Sequence, residues 1–124
     1  METIALHQAP VSGKGSLITV WTLSGLTALA FLAAGGAKLA GAPAMVAVFE
    51  AVGIGQWFRY LTGALEVVGA IGLLLPKYAF YAATLLTIVM VGAVLTHIAL
   101  LGGSPLPAAV LLILSATIAW LRKA

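Results

Sequence analysis

Apolar positions in this chain do not alternate. They run on in four long stretches, each closed by glycine, proline or basic residues. The first covers about residues 17–39 and carries Lys38 at its end, after which Gly41-Ala42-Pro43 breaks the helix. The second, residues 57–75, is closed by Pro76-Lys77, and the third, residues 78–101, by Gly102-Gly103-Ser104-Pro105. The fourth, residues 107–121, opens on Pro107 at a helix-compatible position and finishes in Arg122-Lys123. A helix needs about 20 apolar residues to cross a bilayer; the four stretches read as membrane spans, the fourth being the shortest. Between the first two lies Pro43–Val52, where Met45, Val48, Phe49 and Val52 recur at helical spacing on one face. Too short to span, that segment is expected at the membrane interface or folded partly inward, with Glu50 on it. The expected architecture is an all-α membrane protein, an antiparallel bundle of four transmembrane helices with a short interfacial helix between spans 1 and 2.

Residues 1–16 read as a flexible cytoplasmic leader containing Pro10, Gly13 and Gly15, and residues 17–124 as a single transmembrane domain. The apolar run after the leader is longer than a signal-peptide core of about 7–15 residues, so it is expected to be a retained span.

Composition supports the membrane assignment. Of the 124 residues, 63% are hydrophobic and 7% charged, against about 25% charged in soluble domains. The net charge of +3 comes from six basic and three acidic residues, too few for a nucleic-acid footprint, and they are better read as topology signals. Lys14, Lys77, Arg122 and Lys123 fall on one side of four spans, Lys38 and Arg59 on the other, which puts both termini in the cytoplasm. The chain has no cysteine, which removes thiols, disulfides and thiolate ligands from it. With two histidines and three acids, no metal site is expected.

The chemistry is concentrated around span 2. Glu66 stands at its middle and Arg59 seven residues earlier, on one helix face and roughly 10 Å apart. A carboxyl group at mid-membrane is costly, and its default reading is a functional site with a partner. The bundle topology brings Lys38, Arg59, Glu50, Glu66 and His97 into the outer half of the membrane, with no comparable polar set in the inner half. That asymmetry points to a pocket open outward or sideways rather than a pore. Glu66 and His97 are the candidate proton-handling residues, with Lys38, Arg59, Glu50, Trp57 and Thr96 as candidate ligand-binding residues. Gly35, Gly63, Gly69, Ala70, Gly92 and Ala93 nearby allow close helix approach or leave room for a ligand.

Each residue also has a plain structural reading. Lys38 could snorkel from a helix end, Arg59 could anchor at the interface, and His97 could bond to a neighbouring helix. Trp57, Phe58, Tyr60 and Phe49 could form an interfacial aromatic belt. Glu66 could sit in an ion pair that fixes packing. Its partner stays open among Lys38, Arg59 and His97, and so does its protonation state.

The patterns G-x-x-K at Gly35–Lys38, R-x-x-x-G-x-x-E-x-x-G-A at Arg59–Ala70 and G-A-x-x-T-H at Gly92–His97 together resemble the DoxX-like family of small four-span membrane proteins. The resemblance covers nearly the whole chain beyond the leader. It implies a multi-pass four-helix bundle in a bacterial inner (plasma) membrane. The wider family includes a subunit type of thiosulfate:quinone oxidoreductase and proteins associated with membrane redox complexes and stress responses. Any sulfur chemistry would need thiols from elsewhere, since this chain has none.

Three functions are compatible with this reading. The first is a quinone-linked or small-molecule-binding subunit of a membrane redox system, partnered by the lipid bilayer and by redox subunits or a second copy. It offers no redox centre of its own, which leaves open whether it is an enzyme. The second is a structural or assembly subunit of a membrane complex. The third is a small proton-coupled exporter, disfavoured because its glutamate would stand in span 2 and its polar set in one half only.

Overall fold

The computed structural model describes residues 14–123, and these are helical with no strand among them. There are five α-helices: α1 (Lys14–Ala40), α2 (Pro43–Val52), α3 (Trp57–Leu73), α4 (Ala79–Thr96) and α5 (Leu106–Arg122). A π-helical turn, His97–Leu101, continues α4. The leader expected over residues 1–16 lies outside the described residues as far as residue 13, and residues 14–16 form the start of α1.

Chain breaks follow local chemistry. α1 stops where Gly41 takes a left-handed φ of 73°, and Pro43 occupies the first turn of α2, where its missing N–H costs nothing. The π turn closes when the Gly102 N–H reaches back 3.0 Å to the His97 carbonyl, five residues earlier. Gly102 then leaves the helix at φ 69°.

The four long helices pack in a closed ring, α1 on α3, α3 on α4, α4 on α5 and α5 back on α1. Neighbours run antiparallel: Gly35 lies against Gly63 and Gly41 against Arg59, while Gly69 lies against Leu86 and Gly72 against Ala82. At one end of the ring α2 packs against the π turn and α3. Phe31, Leu73, Leu86 and Ile118 fill the centre, with Ala28, Ala70 and Ala83 between them.

The outside is as apolar as the inside. Ile18, Leu26, Leu29, Ile88, Leu95, Ile98 and Ile113 are all exposed. A surface of this kind is excluded from water in ordinary proteins. Residues Gly15–Ala40 of α1, and α4 with its π turn over Ala79–Leu101, are long and apolar enough to cross a membrane. α3 and α5 are 17 residues each, or about 25 Å, slightly short of the hydrocarbon core.

Candidate functional site

The site starts from the buried stripe of α3, where Arg59, Gly63, Glu66, Gly69, Ala70 and Leu73 all face inward. Spacings of three and four keep them on one side of the helix. Gly63 decides how near α1 comes. A Cβ there would lie 2.9 Å from the Lys38 Cβ and 3.0 Å from the Gly35 carbonyl oxygen. With hydrogen in its place, the two backbones close up and the last turn of α1 lies over the middle of α3.

That approach delivers Lys38 to Glu66. Its Nζ stands 2.8 Å from Glu66 Oε1, with Glu66 1% exposed and Lys38 14%. Apart from Lys38, no partner among the described residues reaches that oxygen. Of the three partners the sequence left open for Glu66, the structure pairs it with Lys38.

Arg59 does something else. It is buried and donates from Nη1 to the carbonyl oxygen of Lys38, and from Nε to Gln56 Oε1 at 2.7 Å. Its guanidinium also lies 4.3 Å from the Tyr60 ring centroid. Gln56 in turn donates to the Val46 carbonyl at 3.1 Å. Arg59 thus caps the carboxyl end of α1, where unpaired carbonyls and the helix dipole favour a cation, and through Gln56 it fastens α2 to α3. Lys38 is gripped twice, at its carbonyl by Arg59 and at its ammonium by Glu66.

His97 begins the π turn. Its Nδ1 lies 3.1 Å from the Ala93 carbonyl; a carbonyl only accepts, so Nδ1 carries the proton and Nε2 is an acceptor in the neutral ring. Thr96 donates to the Gly92 carbonyl at 2.7 Å, which leaves its oxygen lone pairs for another donor. The turn holds one extra residue per hydrogen bond, which rotates the end of α4 relative to a regular helix.

Lys38, Glu66, Thr96 and His97 line one cavity of about 510 Å³, open on one side. Ala34 and Ala37 of α1 border it, as do Phe58, Thr62 and Leu65 of α3 and Ala108 and Leu111 of α5. Its end wall is the apolar face of α2, Met45, Val48, Phe49 and Val52. The four residues whose spacing predicted an amphipathic helix therefore turn that face toward the cavity.

Three candidate residues do not line it: Arg59, engaged at the end of α1, and two that stand at the surface. Glu50 is exposed and does not line the cavity. Trp57 is 60% exposed, its indole N–H donating to the Ile54 carbonyl at 2.7 Å. The aromatic wall is supplied by Phe58, which meets Phe49 edge-on at 5.9 Å between centroids.

The other half of the bundle is less apolar than the sequence reading had it. Ser24, Thr27 and Ser115 are fully buried there, and Arg122 lies over Trp21 with its guanidinium carbon 5.1 Å from the ring centroid. The available signal was spacing. Val20, Ser24, Thr27, Phe31, Gly35 and Lys38 follow one helical face, so the two hydroxyls of α1 point the same way as its lysine.

Comparison with known proteins yields one match. Neither a curated protein nor a solved structure matches the chain significantly. The model of the DoxX-like family matches residues 22–121, a span that contains Lys38, Arg59, Glu66, Thr96 and His97. The chain therefore belongs to the DoxX-like family.

Proposed function

We propose that this chain is a four-span membrane protein whose cavity binds an apolar small molecule with a polar head, a quinone or a compound of similar shape, as a subunit of a membrane redox system. The observation that carries this reading is the cavity itself: about 510 Å³, mostly apolar, with an ion pair and a histidine at its wall. Ligand sites of this type run to roughly 300–1,000 Å³ with a few placed polar groups. The exposed apolar belt and the ring of four antiparallel helices support four spans, with α3 and α5 the shorter pair. The distribution of basic residues supports cytoplasmic termini, and the family supports a bacterial inner membrane as the location.

The donors and acceptors suit a head that changes between carbonyl and hydroxyl. Lys38 spends one ammonium hydrogen on Glu66 and keeps two for a ligand oxygen. His97 Nε2 and the Glu66 carboxylate accept from the hydroxyls of the reduced, quinol head, since a carbonyl has no hydrogen to give them. A bound quinone would supply two-electron, two-proton chemistry. The chain would hold its head, keep water out with the α2 wall, and take or return protons at His97 and Glu66. Electrons would pass to or from a partner subunit.

A photoreactive azidoquinone tests this reading. Irradiated with the purified protein in lipid nanodiscs, it should label the α2 face and the segment around Ala93–His97, and an excess of unlabelled quinone should suppress that labelling. Uniform labelling of the exposed apolar surface, unaffected by competitor, contradicts it. The alternative of an assembly subunit is favoured by one observation, the placing of the ion pair beside the Gly35–Gly63 contact. On that view Glu66→Gln would loosen the bundle, and no site-specific labelling would occur.

A further inference from the structure

At the end of the bundle remote from the cavity, the start of α1, the α3–α4 connection and the end of α5 come together. Lys77, Arg122 and Lys123 gather there, whereas the acids among the described residues, Glu50 and Glu66, both belong to the other half. Two cations face aromatic planes at this level, Arg122 over Trp21 and Lys123 Nζ 3.2 Å from the Trp120 centroid. Trp120 is exposed and Trp21 is at the edge of the packed surface.

Arg122 is not spread on the surface. Its Nε and Nη2 are shielded, and neither has a hydrogen-bond partner among the described residues. One turn deeper along α1 from Trp21, Ser24 Oγ is fully buried and equally unpartnered, and so is Thr27 Oγ1 one turn beyond it. A local partner is open to hydroxyls in these helices: buried Ser115 donates to the Leu111 carbonyl at 2.7 Å. Ser24 and Thr27 do not use theirs. Buried polar atoms are ordinarily paired, and a guanidinium has no lone pair to offer a hydroxyl. At Arg122 the deficit is of acceptors, for the two neighbouring donors Nε and Nη2.

We infer that Arg122, stacked on Trp21, forms a binding site for the phosphate group of an anionic phospholipid. A phosphate diester presents two oxygens that share its negative charge, and these match the two idle guanidinium donors as a fork. Trp21 and Trp120 hold the level of the headgroup, as indoles do at membrane surfaces. The acyl chains would lie along exposed apolar side chains such as Ile18. This inference rests on the four-span reading above but not on what occupies the cavity. Glu66→Gln should leave it intact, so the two readings fail separately.

The test is lipid binding by the full chain in delipidated detergent micelles, followed by native mass spectrometry and thermal shift. Phosphatidylglycerol, phosphatidylcholine and inorganic phosphate serve as probes. Wild type should retain phosphatidylglycerol in preference to phosphatidylcholine, and Arg122→Gln should weaken that binding by about tenfold or more. Lys77→Gln removes the same charge from the same end and should bind as wild type does. If Arg122→Gln does not fold, Arg122→Lys keeps the charge, loses the fork and should still bind several-fold more weakly. Equal loss in the Arg122 and Lys77 variants would reduce the effect to general surface charge and overturn the site. Displacement of phosphatidylglycerol by an equal concentration of inorganic phosphate would make it a free-anion site, and would overturn the lipid assignment.

Discussion

Gly35 and Gly63 face each other across α1 and α3 so closely that a Cβ on Gly35 would meet the Gly63 carbonyl oxygen at 2.8 Å. The contact is one turn from Lys38 and Glu66, and it sets the helix separation at which their side chains pair. Gly63→Ala should therefore destabilise the protein by about 1–3 kcal/mol through overpacking, even though alanine is the better helix former by about 1 kcal/mol. Gly25→Ala and Gly36→Ala are the controls, since nothing lies within 4 Å of a Cβ at either position. They should be neutral or stabilising. Thermal unfolding in one detergent compares all three. Equal behaviour would mean that the close approach is dispensable.

Lys38 and Glu66 should behave as a unit. Removing one member of a buried pair typically costs about 3–5 kcal/mol, whereas replacing both with apolar residues of similar size is often close to neutral. Lys38→Met and Glu66→Leu should each destabilise, and the double variant should recover much of the loss. Chemical denaturation around the double-mutant cycle measures the coupling. Additive single effects would show that the 2.8 Å contact carries no coupling energy.

Arg59→Lys tests the cap on α1. A lysine keeps the charge but cannot bond to both the Lys38 carbonyl and Gln56. A charge-assisted hydrogen bond contributes about 1.5–3 kcal/mol, so a loss of that order is expected. Hydrogen exchange at the end of α1 and in α2 should rise together, because Gln56 ties the two. A rise in α1 alone would mean that Gln56 does not link them.

His97→Leu separates binding from folding. The side-chain hydrogen bond of His97 is to Ala93 in its own helix, so its loss should change stability by no more than about 1 kcal/mol. Quinol affinity should fall by about tenfold, because a quinol hydroxyl can donate to Nε2. Unchanged affinity would take His97 out of the site.

The helices were legible because unbroken apolar runs bounded by Gly, Pro and basic residues have few other meanings. Pro43–Val52 emerged as a helix over the residues its periodicity marked. The pairing of Glu66 was narrowed from sequence but not chosen, because seven-residue spacing places Arg59 on the same face without saying that its guanidinium turns toward the end of α1. Glu50 and Trp57 were drawn in by sequence proximity, although side-chain direction on α2 and at the start of α3 carries them to the surface. The π turn was invisible to a reading built on 3.6 residues per turn, since it is an added residue in the hydrogen-bond ladder. Ser24 and Thr27 went unremarked in the sequence, because hydroxyls in a helix usually bond to their own backbone.

The cavity beside Lys38–Glu66 is proposed to bind an apolar ligand with a quinone or quinol head. The most direct test is the affinity of a short-chain quinol, whose hydroxyl can donate to Glu66, measured by titration into wild type, Glu66→Gln and Ala93→Phe, whose added ring would occupy cavity space. Saturable binding by wild type, about tenfold weaker in Glu66→Gln and abolished in a folded Ala93→Phe, is the predicted result. Binding that is equal in all three, or that rises without saturation as the quinol partitions into micelles, would contradict it.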